Sequence, residues 1–150
     1  MQLTGQCLIE SPRARVWQAL NDVGVLRQCI PGCESITKDS DHVARAEIRM
    51  RIGPVKAKFK TDLTISALDP PSSYLIAGKG SGGAAGFASG QAKITLQDQG
   101  GNTMLSYQAE ITIGGRLAQT GNRMINRVSQ NFSDSFFTSL SELLASQHSV

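Results

Sequence analysis

Hydrophobic and polar positions alternate through the middle of this chain with the period of two that is typical of half-buried β-strands. The clearest run covers 55–67, where apolar residues or threonine at odd positions alternate mostly with charged and hydroxyl residues at even positions. A similar run covers 43–52, and Gly53-Pro54 between the two runs indicates a turn. Further strands are predicted at 3–9, from Glu34 onward, and at 74–80, 90–97 and 104–113.

Two short helices are predicted between the first strand and Glu34. Ser11 can cap the first helix through its hydroxyl, and Pro12 suits the first helical position. Asn21-Asp22 ends this helix and can cap the second one, which Pro31-Gly32 terminates. The apolar faces of the two helices contain Val16, Trp17 and Leu20, and Val25, Leu26 and Ile30.

After Gly114-Gly115 the spacing becomes helical, since apolar and small residues recur every three or four positions from Leu117 to Leu143. A helix of about 30 residues would be about 45 Å long. Gly121 falls in its N-terminal half, where glycine costs about 1 kcal/mol relative to alanine. The element order predicts an α+β helix-grip fold over residues 1–150, with about seven antiparallel strands curved around this helix in the order β-α-α-β6-α.

Small residues dominate the face of the predicted sheet that must pack on this helix: Ala44, Ala46, Ala57, Gly78, Gly80, Ala92 and Ala109. A curved sheet lined in this way leaves an internal volume unless the helix supplies bulk. We therefore expect a packed core beneath the second half of the helix and an apolar pocket beneath the first half. The alternative is that the small residues only permit close packing. The candidate pocket residues are Ala57, Phe59, Thr61, Phe87, Tyr107, Leu117, Gly121 and Met124.

Composition adds few constraints. A chain of 150 residues suits one domain, and a net charge of +3 is too small to indicate nucleic-acid binding by itself. The N-terminus lacks a basic start followed by an apolar run, and no stretch approaches the roughly 20 apolar residues that cross a bilayer. With 3 cysteines, these features favour reduced thiols and a cytoplasmic protein.

One face of the hairpin from Arg45 to Lys60 is basic. By alternation it presents six cations against Glu47 and Asp62 only: Arg45, Arg49, Arg51, Lys56, Lys58 and Lys60. One interpretation is an ordinary solvated face. The other is a docking surface for anionic lipid or for an acidic protein, because each such charge near an anionic membrane contributes about 1 kcal/mol.

Other chemical motifs are weak. The segment 78–83 fits G-x-G-x-x-G, but a dinucleotide site needs a helix after it and here a strand pattern follows. We expect instead a flexible hairpin at the mouth of the pocket, with Phe87 as an apolar lid.

Cys29 and Cys33 lack the further ligands of a metal site. Alternation places Glu47, Asp62 and Glu110 outside. The polar groups inside are Thr61, Tyr74 and Tyr107, with His42 at a strand end, so no inward acid–base pair is evident for catalysis.

Several motifs together resemble a known family. They are Pro12, Val16-Trp17, Leu20, Asn21-Asp22, 29–35 (CIPGCES), 53–59 (GPVKAKF), Asp69-Pro70-Pro71, 80–90 (GSGGAAGFASG), 114–119 (GGRLAQ) and Phe136-Phe137. The chain is similar in these motifs to the carbon monoxide dehydrogenase G-subunit-like proteins of the START-like superfamily. The similarity extends over nearly the whole sequence, and the CIPGC block and the glycine-rich run are fairly specific.

The resemblance implies a helix-grip fold and a non-catalytic accessory of a molybdenum-containing carbon monoxide dehydrogenase or related hydroxylase. It implies that an apolar molecule such as a quinone, not covalently bound, occupies the pocket, and that the protein recruits its enzyme to the inner face of the cytoplasmic membrane. Some members carry a membrane-attaching tail after this domain. This sequence stops at Val150, just past the predicted helix, which weakens the expectation of stable anchoring and leaves membrane attachment open. The alternatives are a lipid carrier and a cyclase- or hydrolase-type enzyme that uses the same cavity.

Overall fold

Seven strands and three α-helices make up residues 1–148, which are the residues that this computed structural model describes. The strands are β1 (Gln2–Ile9), β2 (Cys33–Lys38), β3 (Val43–Ile52), β4 (Val55–Asp69), β5 (Ser73–Ser81), β6 (Phe87–Gln99) and β7 (Asn102–Gly114). The helices are α1 (Arg13–Leu20), α2 (Val23–Cys29) and α3 (Asn122–His148), and 3₁₀ turns occupy Gly83–Ala85 and Gly115–Thr120.

The strands form a single antiparallel sheet in the order β1-β7-β6-β5-β4-β3-β2. This order brings the first strand beside the last one, and α3 packs on the concave face together with α1 and α2. The inner and outer faces of β4 are as predicted, because Phe59 is buried whereas Lys58 and Lys60 are exposed. The predicted α+β helix-grip architecture is confirmed.

The start of α1 differs from the prediction. Pro12 rather than Ser11 is the N-cap residue, and no side chain caps the helix. The Ser11 hydroxyl is buried without a hydrogen-bond partner, while its carbonyl accepts a bond of 2.7 Å from the hydroxyl of Thr103. The extended backbone at Pro12 moves the helix start one residue further on. The predicted cap of α2 is confirmed, because the Asp22 carboxylate accepts from the backbone N–H groups of Gly24 and Val25.

The C-terminal helix also begins later than its periodicity suggested. The backbone of Gly121 has φ +92°, a left-handed value that favours glycine and interrupts helical geometry. Leu117 therefore lies in a separate 3₁₀ turn, and Gly121 is an exposed connector before α3. The prediction that Gly121 sits within the helix was wrong.

Two apolar clusters fix α3 to the sheet at opposite ends. The first, here called the rear core, includes Val16, Leu96, Leu105, Leu140 and Leu144, all of them at most 2% exposed. In it the Trp17 and Tyr74 rings meet edge to face at 5.4 Å, and the Tyr107 and Phe137 rings stack at 5.3 Å. The second, the front cluster, consists of Ile52, Val55, Phe59, Ala85 and Leu117.

Candidate functional site: an apolar cavity under the C-terminal helix

A cavity of about 410 Å³ separates the two clusters and is partly open to solvent. Its wall on the helix side is formed by five residues of the first half of α3: Ile125, Val128, Ser129, Phe132 and Ser133. The sheet side is formed mainly by Leu3, Ile48, Met50, Phe59, Thr61, Leu63, Ile76, Gly78, Gly80, Ala88, Gly90, Ala92, Ala109, Ile111 and Ile113. The cavity therefore lies under the half of the helix where the sequence predicted one.

The register of the central strands explains why the cavity is there. In β5, β6 and β7, Tyr74, Ile94 and Tyr107 form one cross-strand row in the rear core. Three further rows follow toward the front: Ile76-Ala92-Ala109, Gly78-Gly90-Ile111 and Gly80-Ala88-Ile113. The inward side chains of the sheet are thus much smaller in these rows. The side chains on the first half of α3, which lies above these rows, do not fill the space between helix and sheet.

Three of the predicted pocket residues line the cavity. Phe59 and Thr61 lie on the inner face of β4, and Leu117 reaches the cavity from its 3₁₀ turn. Ala57 and Met124 are close by, but they pack against the front cluster instead of forming the cavity wall.

Three other predicted pocket residues do not line the cavity. Phe87 is 49% exposed and lies on the outer face of the sheet, where its ring covers Gly114. The reason is that β6 begins at Phe87, and alternation along β6 points this residue outward. Tyr107 points inward as expected, but the stacked ring of Phe137 holds it in the rear core. Gly121 is exposed in the connector before α3. The expected lid at Phe87 is therefore corrected.

Sequence reasoning missed the helical wall of the site. The positions Ile125, Ser129 and Ser133 are spaced by four residues, and Val128 and Phe132 lie between them on the same face. This pattern was available in the sequence, but two serines in an apolar stripe gave no distinct indication of a pocket. The small residues Ala92 and Ala109 were identified as inward-facing without being assigned to the site.

The cavity surface is mostly apolar, with a few hydroxyl groups. Thr61, Ser129 and Ser133 supply the inward polar side chains, and their hydroxyls have no hydrogen-bond partner within the described chain. Glu110 also borders the cavity, but its carboxylate is exposed and accepts a long hydrogen bond of 3.5 Å from the Gln2 amide. Such a site can bind an apolar molecule and can donate hydrogen bonds to a carbonyl or hydroxyl group on it.

Other titratable groups on the inner side are shielded from solvent. Burial raises the pKa of the Tyr74 phenol well above its ordinary value, and burial also raises the pKa of the Cys29 thiol. Both groups are therefore neutral near pH 7. Among residues 1–148, no group of three or more His, Cys, Asp or Glu side chains is arranged to hold a metal ion.

The glycine-rich segment is a packed turn. Residues 82–86 connect β5 to β6, and Gly82 lies against the ring of Phe59 so closely that a Cβ there would be 2.8 Å from the ring. Gly86 and Gly115 both have positive φ and touch through their backbones, since a Cβ on Gly115 would lie 2.8 Å from the Gly86 Cα. The segment and the second 3₁₀ turn thus close the front end of the molecule together. A strand, β6, follows the segment rather than the helix that a dinucleotide site needs, as expected.

The basic hairpin face carries more negative charge around it than the alternation suggested. Glu34 on β2 lies 3.1 Å from Arg49 and 3.5 Å from Lys58, and Asp39 lies 2.9 Å from Arg45. Desolvation acts to raise the pKa of Glu34, but the hydrogen bond and charge of Arg49, together with Lys58, hold it below the usual range. The expectation that only Glu47 and Asp62 oppose the six cations was wrong, because β2 pairs with β3 and brings these carboxylates alongside.

No α-helix within residues 1–148 combines the length and the apolar character that spanning a bilayer requires.

Several known structures share this fold over nearly their whole length. A conserved protein from Geobacillus kaustophilus is 26% identical over 97% of this chain and 96% of its own, with a TM-score of 0.91. A START superfamily protein from Mycobacterium smegmatis is 10% identical, with 97% of this chain and 98% of its own covered and a TM-score of 0.73. The Zhui aromatase/cyclase from Streptomyces sp. R1128 is 12% identical, with coverage of 97% and 93% and a TM-score of 0.69.

A search of curated protein sequences gives no match. The family model for the G subunit of carbon monoxide dehydrogenase (CoxG), in contrast, matches residues 5–145, which is nearly the whole chain. Together with the START-like fold and the cavity under α3, this match shows that the chain belongs to the CoxG family of carbon monoxide dehydrogenase proteins.

Proposed function

We propose that this protein is a non-catalytic accessory that holds a quinone or a similar apolar molecule in the cavity under α3. We further propose that it links a molybdenum-containing carbon monoxide dehydrogenase-type enzyme to the cytoplasmic membrane. The observation that carries the proposal is the cavity itself. Its volume of about 410 Å³ falls within the usual range of small-molecule sites.

The chemistry of the lining supports a ligand of this class. Burying a few hundred Å² of apolar ligand surface contributes about 8 kcal/mol at about 25 cal/mol per Å². The cost of association reduces this figure to an affinity of about micromolar. The unpaired hydroxyls of Thr61, Ser129 and Ser133 suit the carbonyl oxygens that a quinone carries on an otherwise apolar ring.

The lining also supports a binding role over catalysis. Acid–base catalysis needs titratable groups within hydrogen-bond reach of the substrate. Among the described residues that border the cavity, the ionisable one is Glu110, whose carboxylate is directed to solvent. The aromatase/cyclase neighbour shares the fold at 12% identity and gives no reason to assign its activity here.

A cavity-filling substitution tests the ligand site. Ala109→Phe places a ring among the small residues of the central rows, and Ala77→Phe places the same ring on the exposed outer face of β5 as a matched control. Native mass spectrometry and titration with decylubiquinone should show binding by the wild type and by Ala77→Phe. Ala109→Phe should bind at least about tenfold more weakly, which is a loss of about 1.4 kcal/mol.

Equal binding by the two variants would contradict the proposed site. Turnover of an added ester or ketone that is lost in Ala109→Phe would instead favour an enzyme. The link to a partner is tested separately by size-exclusion chromatography with a molybdenum carbon monoxide dehydrogenase, where co-elution supports the accessory role and separate elution at micromolar concentrations argues against it.

A further inference from the structure

Three segments meet at the front end of the molecule, next to the front cluster. They are the β3–β4 turn, the glycine-rich turn, and the second 3₁₀ turn with the first turns of α3; we call residues 51–56, 82–87 and 116–127 the front rim. A Cβ on Gly53 would lie 3.8 Å from the Met124 side chain, so the β3–β4 turn passes close to the start of α3. Gly86 touches Gly115 at the base of the rim, so the three segments form one continuous surface.

The front rim is positively charged without opposing carboxylates. Its cations are all exposed and have no ion pair among residues 1–148: Arg51, Lys56, Arg116, Arg123 and Arg127. The sequence contains no Asp or Glu in 48–61, 78–97 or 111–133, which include the three rim segments and the residues that flank them in the chain. Glu34 of the neighbouring strand β2 is paired with Arg49 and Lys58 and not with a rim cation. The strand face differs, since Arg45, Arg49 and Lys58 are paired there with Asp39, Glu34 and Glu47.

Acidic residues collect at the opposite end of the sheet. Asp39 and Asp41 lie in the turn before β3, Asp69 ends β4, and Asp98 is near the end of β6. Adjacent antiparallel strands turn at alternate ends, so these turns are remote from the front rim. At that end cations also occur, since Lys38 ends β2, Arg13 donates to the Ser72 hydroxyl and Asp39 is paired with Arg45. The cations without nearby carboxylates are therefore those of the front rim, and an anionic surface would attract this end of the protein.

Exposed apolar groups lie among the cations of the rim. Pro54, Ala84 and Ala118 are exposed, and Phe87 presents 49% of its surface to solvent. Apolar groups surrounded by lysine and arginine are typical of surfaces that bind the interface of an anionic bilayer. The cations alone would also suit an acidic protein, and it is the exposed apolar groups among them that favour the bilayer interface. We infer that the front rim docks on the anionic phospholipid surface of a membrane.

This inference rests on the membrane link proposed above and names the surface that makes it. It also bears on the ligand, because the rim segment 116–127 contains Leu117 and Ile125, which line the cavity. A protein docked by its rim would hold this end of the cavity toward the lipid, where apolar molecules are dissolved.

Two variants with the same change in net charge test the inference. The rim variant is Arg51→Gln/Lys56→Gln/Arg116→Gln, and the strand-face variant is Arg45→Gln/Arg49→Gln/Lys58→Gln. Co-sedimentation with vesicles of phosphatidylglycerol and phosphatidylcholine measures binding. Each cation near the surface contributes about fivefold to affinity, so the rim variant should bind roughly a hundredfold more weakly. The strand-face variant should lose no more than about threefold, because its charges are neutralised by ion pairs.

The apolar part is tested without a change of charge by Phe87→Gln, with Leu75→Gln on the outer face of β5 as its matched control, since both side chains are exposed. Only Phe87→Gln should weaken vesicle binding severalfold. Binding of the wild type should disappear on vesicles of phosphatidylcholine alone and fall steeply between about 0.05 M and about 0.5 M salt.

Equal losses in the rim and strand-face variants, or wild-type binding that ignores phosphatidylglycerol, would overturn the inference. Retained vesicle binding with loss of an acidic partner protein in the rim variant would overturn it in favour of a protein interface. Decylubiquinone binding without vesicles separates the two proposals. If the wild type binds the quinone but no vesicles, the membrane link and the rim inference fail together while the ligand site stands. If the wild type binds vesicles and the rim variant binds them equally well, the rim inference fails alone. If the wild type binds vesicles but no quinone, the proposed ligand fails alone.

Discussion

The rear core and the cavity lie on the same sheet and under the same helix, yet one is filled and the other is open. In the rear core, inward rows carry large side chains such as Tyr74 and Tyr107, and α3 adds Phe137 and Leu140. In the central rows two of the three strand residues are glycine or alanine and the third is isoleucine, and the helix adds only Ile125, Val128 and Phe132 to two serines. The backbone frame is continuous through both halves. Side-chain volume alone thus decides which half can accept a ligand.

The comparison also explains why the cavity does not collapse. The front cluster closes the far end, so α3 is held on the sheet at two places rather than one. Collapse onto the small residues would require the helix to tilt, and a tilt would break the packing of one cluster. A stable cavity therefore depends on packed regions on either side of it.

The largest expected effect comes from truncating the same residue type in the two halves. Leu140 is fully buried in the rear core, and Leu63 lines the cavity. Leu140→Ala should lower the free energy of unfolding by about 3–5 kcal/mol, because it creates a new void. Leu63→Ala should cost less than about 2 kcal/mol, because this side chain already faces open volume. Urea denaturation measures both; equal costs would mean that the two halves are equally packed.

Enlarging a small residue should cost stability in the rear core but little or none at the cavity. Ala19 is 7% exposed in the rear core, whereas Ala88 lines the cavity. Ala19→Leu should destabilise by about 1–3 kcal/mol through overpacking. Ala88→Leu should change stability by less than about 1 kcal/mol, because the added methyl groups occupy free space. Thermal unfolding of the pair checks this, and a strongly destabilised Ala88→Leu would show that the cavity is not available to a side chain.

The smallest effect is expected on the outer face, where both halves meet water. The folded pKa of Glu34 lies below its ordinary value because of Arg49 and Lys58. The ionised carboxylate is therefore favoured by folding, and its contribution is present above the ordinary pKa and is lost as the pH falls through the lowered one. Urea denaturation of Glu34→Gln should show a small deficit at pH 7 that vanishes at acidic pH. A deficit that persists in acid would assign the effect to something other than the charge.

Much of the fold was predictable because alternation and helical spacing are local. The run from Val55 to Ala67 determines which side chains point inward, and this rule correctly placed Phe59 and Thr61 on the cavity side. The rule did not place Phe87, because its parity depends on where β6 begins after the glycine-rich turn. It did not separate Tyr107 from the site either, because only the packed position of Phe137 shows that this ring is covered.

The sequence by itself determined the element order, the inner and outer faces of the strands, and the shortage of bulky side chains beneath the first half of α3. Only the tertiary structure decided the strand register that aligns the small residues into rows, and only that structure brought Glu34 and Asp39 beside the basic strands. The physical reason is that periodicity reports the direction of each side chain relative to its own backbone. A cavity or an ion pair depends on which distant segments become neighbours, and that is set by packing of the whole chain.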